Sequence, residues 1–254
     1  MPRSSLRLPS RVLVTGAAGG IGQALVRQLA DGSVAVVGTD RCDRPHDTAA
    51  NHWVRADLAS ADGRSGLVVA VGALQGPPLG GFVHVAGILD PADWEQIDEA
   101  QMAQVFAVNL AAPFFLTRAL LPCMAPDASV VLIGSVSALR ASPKTPFYSA
   151  SKAALRNLAA SMALALQPRG IRVNVVAPGL IDTPLTDGLN QQLALARGVP
   201  VATIETERAQ PIPAGRAGTT DEVASCCLFL LSAESAYCNG MTMHPTGGVM
   251  AGVV

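Results

Sequence analysis

Tyr148 and Lys152 open an Ala- and Leu-rich run that ends at Arg169-Gly170. If the run is a helix, positions four apart share one face, and the phenol and the ammonium stand a few Å from each other. A neighbouring cation favours the phenolate. The pair therefore predicts a Tyr148 pKa drawn down from about 10 toward neutral pH, where a proton-transfer group works best. Taken alone, such a pair is more often a half-exposed tyrosine beside a solvated lysine, so the elements around it must decide.

Those elements begin with an apolar run, Arg11 to Val14, that enters Thr15-Gly16-Ala17-Ala18-Gly19-Gly20-Ile21-Gly22 and continues in a helical pattern through Ala24, Leu25, Gln28 and Leu29. This is strand, Gly-rich turn, helix. The glycines allow a tight turn and close backbone approach, and the free amides at the helix start attract a pyrophosphate. A second strand, Val34 to Thr39, ends at Asp40, 18 residues after Gly22, where an acid can accept hydrogen bonds from an adenosine ribose. Gly-rich turns also join strands to helices with no ligand, but the ordered arrival of strand, turn, helix, strand and acid argues for a dinucleotide. The Asp40 charge opposes a 2'-phosphate, while Arg41 acts the other way. With no Lys or Arg between Gly16 and Gly22, the balance points to NAD rather than NADP.

Val54 to Ala56 reads as a third strand, closed by Asp57-Leu58. Asp57 either bonds an adenine amino group or caps the helix beginning near Ser60. Phe82 to Ala86 is a fourth strand ending at Gly87, and residues 93 to 124 read as one or two helices. Within them Pro113 has no amide hydrogen for the Asn109 carbonyl. Asn109 then either holds a water with that carbonyl and its side chain or marks an ordinary proline kink. Ser129 to Ile133 is a fifth strand running into Gly134-Ser135, which places Ser135 at a sheet end within reach of Tyr148. Ile171 to Val176 is a sixth, leading to Pro178-Gly179 and Ile181-Asp182-Thr183. From 184 to 215 no single pattern holds. Leu185, Leu189, Leu193 and Leu195 alternate with polar residues, as in a mobile lid with short helices over an uncharged or apolar substrate. A helix from Thr220 to Ser232 and a strand near Met241 to His244 complete the chain. The expected fold class is α/β, a Rossmann-like doubly wound parallel sheet of about seven strands with helices on both faces, with residues 1–254 as a single domain.

The chain has 254 residues, 50% of them hydrophobic, enough for a large core. A net charge of -1 without a basic cluster excludes nucleic acid and anionic membrane as expected partners and leaves a small molecule. Met1 to Arg11 lacks a signal-peptide core. Ser65 to Leu89 carries no Asp, Glu, Lys or Arg, but Pro77-Pro78 and its glycines break it into a buried helix, a turn and a buried strand. Five cysteines without metal-site spacing are expected to be buried, reduced thiols in a cytoplasm.

Together these segments resemble the short-chain dehydrogenase/reductase family from Arg11 to Gly248. The resemblance rests on Thr15 to Gly22, Asn109, Ser135, Tyr148 with Lys152, Pro178-Gly179 and Thr183. It implies that Tyr148 is the general acid/base, that Lys152 lowers its pKa and bonds the nicotinamide ribose, that Ser135 orients the substrate oxygen, and that Asn109 anchors a proton-relaying water. Cofactor contacts are implied at Gly16, Gly20, Ile21, Gly22, Asp40, Arg41, Asp57, Leu58, Ala86, Gly87, Tyr148, Lys152, Pro178, Gly179, Ile181 and Thr183. A homotetramer is implied as well, through the helices at 102–124 and 147–169 and the apolar tail.

Two departures stand out. The family's Asn-Asn-Ala-Gly is here His84-Val85-Ala86-Gly87, with His84 expected in the core or at a sheet edge, and the segment from Asp40 to Asp57 is too short for the usual helix. Both look similar to a bacterial hydroxysteroid dehydrogenase and carbonyl reductase branch. The leading expectation is an NAD-dependent secondary alcohol dehydrogenase or ketone reductase. The alternatives are an NADPH-dependent 3-oxoacyl carrier-protein reductase and a nucleotide-sensing protein without chemistry.

Overall fold

The computed structural model describes residues 6–252. Along them run β1 (Arg11–Thr15), α1 (Gly20–Asp31), β2 (Ala35–Asp40), β3 (His52–Arg55), α2 (Ala61–Gly72), β4 (Leu79–His84), α3 (Glu99–Phe106), α4 (Ala112–Leu120), β5 (Met124–Ile133), α5 (Pro146–Leu166), β6 (Arg172–Val176), α6 (Pro184–Arg197), α7 (Val201–Ala209), α8 (Thr220–Leu231) and β7 (Thr242–Met243). The strands form one parallel sheet in the order β3-β2-β1-β4-β5-β6-β7. The chain winds outward from β1 to one edge, then returns through β4 to wind to the other. That reversal opens a crevice at the carboxyl ends of β1 and β4, where ligands bind in such sheets.

The central strands are apolar throughout because both faces are covered. Successive residues serve opposite cores. Leu13, Phe82 and Leu132 face α2, α4 and α5, meeting Leu67, Leu116 and Leu155. Val12, Val83 and Val131 face α1 and α8, meeting Leu25, Leu29, Val223 and Leu230. Leu116 is fully buried whereas Val69 on α2 is 73% exposed. Leu116→Ala is expected to cost about 3 kcal/mol in urea unfolding, from lost transfer energy plus a cavity, and Val69→Ala less than about 0.5 kcal/mol.

The uncharged stretch forms the latter part of α2, a turn and β4, as expected. Among the described residues a different run, Glu99–Cys123, is long and apolar enough by composition to cross a membrane; its Ala112, Leu116 and Leu120 lie in the core. No helix separates β2 from β3. The thiols depart from expectation. All five cysteines are free, but only Cys227 is buried, and Cys42 is exposed.

Some boundaries also move. The fourth strand begins at Leu79 and stops at His84, which leaves Val85 and Ala86 in the crevice loop. The fifth begins at Met124, through an irregular start where Asp127 takes φ +62° and the register with β4 shifts between Leu79 and Gly81. The segment after Pro184 is more regular than its sequence pattern, with two helices of 14 and 9 residues. Arg197 binds Glu207 at 2.5 and 3.0 Å, and Arg208 binds Asn190, so arginines tie α6 to α7.

Candidate active site

Helices α2, α3, α6 and α8 are capped by the side chains of Ser60, Asp98, Thr183 and Thr219. At α1 the capping position is Gly19, which has no side chain, and the first turn holds no acid. The amides of Gly20, Ile21 and Gly22 thus face the crevice with the positive end of the helix dipole, an arrangement that takes an anion. The approach is close. Gly16 sits at φ +63°, and a Cβ there would lie 2.7 Å from the Ala86 nitrogen; a Cβ on Gly22 would overlap the Gly16 carbonyl oxygen.

Above this turn lies a cavity of about 330 Å³ lined by the predicted residues Gly16, Gly20, Ile21, Asp40, Arg41, Asp57, Leu58, Ala86, Gly87 and Thr183. Asp40 ends β2 and leans over the turn, accepting hydrogen bonds from the Ala18 amide at 3.1 Å and from the Arg41 amide at 2.7 Å. Asp57 does not cap α2. Ser60 does so through the Gly63 amide at 2.9 Å, while Asp57 accepts from the Ala59 amide at 3.0 Å and keeps its place in the cavity wall. Sequence reasoning misses Ile88, Gln104 and Val108 in the lining, and reads Leu185 only as part of the lid. Ile88 follows Gly87 directly, and Gln104 and Val108 lie four apart ahead of Asn109, so helical spacing was a usable signal. Gly22, Tyr148, Lys152, Pro178, Gly179 and Ile181 lie outside the lining. The Pro178 carbonyl accepts from the Val136 amide at 3.1 Å and steadies the loop after Ser135, and Ile181 is buried, bridged to Gly218.

Beside Gly87 the chemistry-bearing side chains gather. A Cβ on Gly87 would lie 3.4 Å from Asn109 Oδ1 and 3.5 Å from Lys152 Nζ. Helix α5 presents Tyr148 and Lys152 on one face, with Nζ 5.6 Å from the tyrosine ring centroid. Lys152 is 3% exposed and donates to the Ile133 carbonyl at 2.8 Å. Ser135, two residues past the end of β5, accepts from the Ser137 amide at 3.1 Å and acts on Tyr148 in the direction of a lower pKa.

The electrostatics correct the expectation of a lowered tyrosine pKa. Burial pushes Tyr148 up from 10.0, with the Ser135 hydrogen bond opposing it, and desolvation pulls Lys152 from 10.5 down to about 8. Desolvation outweighs attraction here, and the phenol keeps its proton at neutral pH.

Asn109 also differs from expectation. The backbone around it is a π turn, Ala107–Ala111, with the Ala112 amide bonded to the Ala107 carbonyl, rather than a simple proline kink. Its side chain is fully buried and already engaged. It accepts from the Ile88 amide at 2.9 Å and donates to the Ile88 carbonyl at 3.0 Å and to Ser151 Oγ at 3.1 Å. Proline at 113 withholds the fourth-residue amide from the Asn109 main-chain carbonyl.

A doubly wound sheet with an uncapped, glycine-built helix terminus at its crevice and a Tyr/Lys pair beside it defines a dinucleotide-type oxidoreductase. A family model described as enoyl-(acyl carrier protein) reductase matches residues 16–250. Cis-4-hydroxycyclohexanecarboxylate dehydrogenase of Sinomonas cyclohexanicum is 33% identical over 94% of this chain and 96% of its own. The 3-oxoacyl-[acyl-carrier-protein] reductase of Rickettsia bellii is 31% identical over 94% and 95%. A crystal structure of a short chain dehydrogenase family protein from Francisella tularensis superposes with a TM-score of 0.89 at 28% identity, covering 95% of this chain and 99% of that one. The chain belongs to the short-chain dehydrogenase/reductase family of oxidoreductases.

Proposed function

We propose that the protein moves a hydride between NAD(H) and a secondary alcohol or ketone, with Tyr148 as general acid/base. The observation that carries this reading is the approach of Lys152 Nζ and Asn109 Oδ1 to Gly87, which lines the glycine-floored cavity, with Tyr148 beside Lys152 on the same face of α5. The bound dinucleotide supplies or accepts the hydride at its nicotinamide ring. The chain's own groups handle the proton and the charge. In reduction the Tyr148 hydroxyl gives its proton to the carbonyl oxygen, and the Ser135 hydroxyl donates a hydrogen bond to the charge developing there. In oxidation Tyr148 takes the alcohol proton. The Lys152 ammonium, held by Ile133, offers its remaining N–H donors toward the cavity and steadies negative charge on the phenol. The glycine floor and the free α1 amides fit a pyrophosphate. Exposed apolar Met102, Phe115 and Leu164 on α3, α4 and α5 support assembly of the protein as a homotetramer.

NAD is favoured by Asp40, whose carboxylate overhangs the cavity where a 2'-phosphate would bring like charge. A second reading, an NADPH-dependent 3-oxoacyl carrier-protein reductase, draws on Arg41 in the same lining and on the Rickettsia relative. One experiment separates them. A ligand at a hundredfold its Kd stabilises the fold by about 2.7 kcal/mol. At matched concentrations, NADH is expected to raise Tm more than NADPH, and Asp40→Ala to narrow the gap. A larger shift with NADPH selects the second reading, and no shift with either refutes both.

A further inference from the structure

His84 stands where the family usually has asparagine, and its ring is 1% exposed in the middle of the sheet, on β4 between β1 and β5. Both ring nitrogens are engaged. Nε2 lies 3.2 Å from the Val108 carbonyl and Nδ1 lies 3.0 Å from Thr15 Oγ1. A carbonyl only accepts, so Nε2 carries the proton and Nδ1 is the acceptor, which makes Thr15 the donor to Nδ1. The Thr15 oxygen in turn accepts from the Ala86 amide at 3.3 Å. One directed chain thus runs from Ala86 through the Thr15 hydroxyl and the His84 ring to Val108.

The two ends of this chain belong to two halves of the site. Ala86 packs against Gly16 and lines the cavity floor, whereas Val108 lies in the π turn and precedes Asn109. Asn109 in turn grips Ile88 and Ser151, the latter on α5 directly before Lys152. We propose that His84 is a positioning residue that spans from the glycine-rich cavity floor to the π turn and so fixes the distance between bound cofactor and the Asn109, Tyr148 and Lys152 side chains. This rests on the hydride-transfer reading above for its catalytic consequence, though not for its geometry.

The neutral ring suits this chain because a proton on Nδ1 would make Thr15 Oγ1 accept from both Nδ1 and the Ala86 amide and take from the buried hydroxyl proton its Nδ1 acceptor. Complete burial and the Lys152 ammonium support this by holding the His84 pKa down at about 3. No carboxylate stands among the named partners of the ring to offset a second charge, and Phe82 meets it edge-on with ring centroids 6.2 Å apart.

The test compares His84→Phe, which keeps an aromatic ring but no ring nitrogen, with His84→Gln, which can donate to Val108 and accept from Thr15. His84→Phe is expected to lower kcat by about 10- to 100-fold, the scale of a small misplacement of reacting groups, with the KM for ketone little changed. His84→Gln is expected to recover kcat to within about fivefold of the parent. Full kcat in the Phe variant, or equal losses in both variants that simply track Tm, would overturn the proposal. A second measurement needs neither substrate nor variant. Nitrogen-15 spectra of the parent protein are expected to show His84 as the neutral Nε2–H tautomer from pH 5 to 8; an Nδ1–H tautomer, or titration in that range, would refute it. If the parent protein turns over no alcohol or ketone, the hydride-transfer reading fails, while the spectra still decide the geometry of His84.

Discussion

Tyr148→Phe is expected to lower kcat by about 10³-fold, within the range contributed by a positioned acid or base, while NADH still raises Tm as it does in the parent protein. The substitution removes one oxygen and leaves the ring, so packing on α5 and the cavity floor stays as it was. It deletes the phenolic hydroxyl, on which the nearby Ser135 acts. Ser135 is a poor substitute because an aliphatic hydroxyl gives up its proton far less readily than a phenol, and Lys152 has one of its protons committed to Ile133 at 2.8 Å. The raised Tyr148 pKa adds a directional expectation. With the phenol protonated at neutral pH, reduction starts from the protonation state it needs, whereas oxidation must first remove that proton. Steady-state rates in both directions from pH 6 to 10 check this: oxidation should gain with pH and reduction should not. Turnover in Tyr148→Phe within about tenfold of the parent would remove Tyr148 from the chemistry.

The same residue shows where sequence reading reaches and where it stops. The spacing of Tyr148 and Lys152, the end of β5 at Ile133 just before Ser135, the glycine-rich turn and Asp40 at the end of β2 were all legible, because each follows from local periodicity or turn chemistry. The direction of the Tyr148 pKa was not. Proximity of a cation is visible in a four-residue spacing, but the burial that outweighs it is set by segments that pack around α5 from elsewhere in the chain. The π turn before Pro113 was hidden for a similar reason: proline announces a missing hydrogen bond without saying how the preceding turn rearranges. Sequence alone left Asp57 open as an adenine contact or a helix cap, and only the Gly63 amide, bonded to Ser60 Oγ, shows that it is not the cap. The helices α6 and α7 lack a clean apolar stripe because much of their surface is exposed, as Leu185 and Leu195 show, so periodicity had little to report.

Lys152→Met is expected to abolish most turnover and yet make the folded protein more stable at neutral pH. Lys152 is 3% exposed, and desolvation lowers its pKa from 10.5 to about 8. At about 1.4 kcal/mol for each pH unit, holding the ammonium in the fold costs on the order of 3 kcal/mol. Methionine fills a similar volume without a charge. It forfeits the bond to the Ile133 carbonyl, worth about 1 kcal/mol, so a net gain of about 1 to 2 kcal/mol remains. The sign of the pH dependence follows from proton binding. Between about pH 8 and 10.5 the unfolded chain holds the Lys152 proton and the folded chain does not, so this group makes stability rise with pH across that window and contributes nothing to its slope below it. Urea midpoints of parent and variant at pH 7, 9 and 10.5 should therefore converge as pH rises, with the variant ahead at pH 7. A parent protein ahead at pH 7 would mean that the ammonium is stabilised in the cofactor-free fold, and burial would no longer explain its low pKa. Convergence together with lost activity would mark Lys152 as a charge kept in the core for function at the expense of stability.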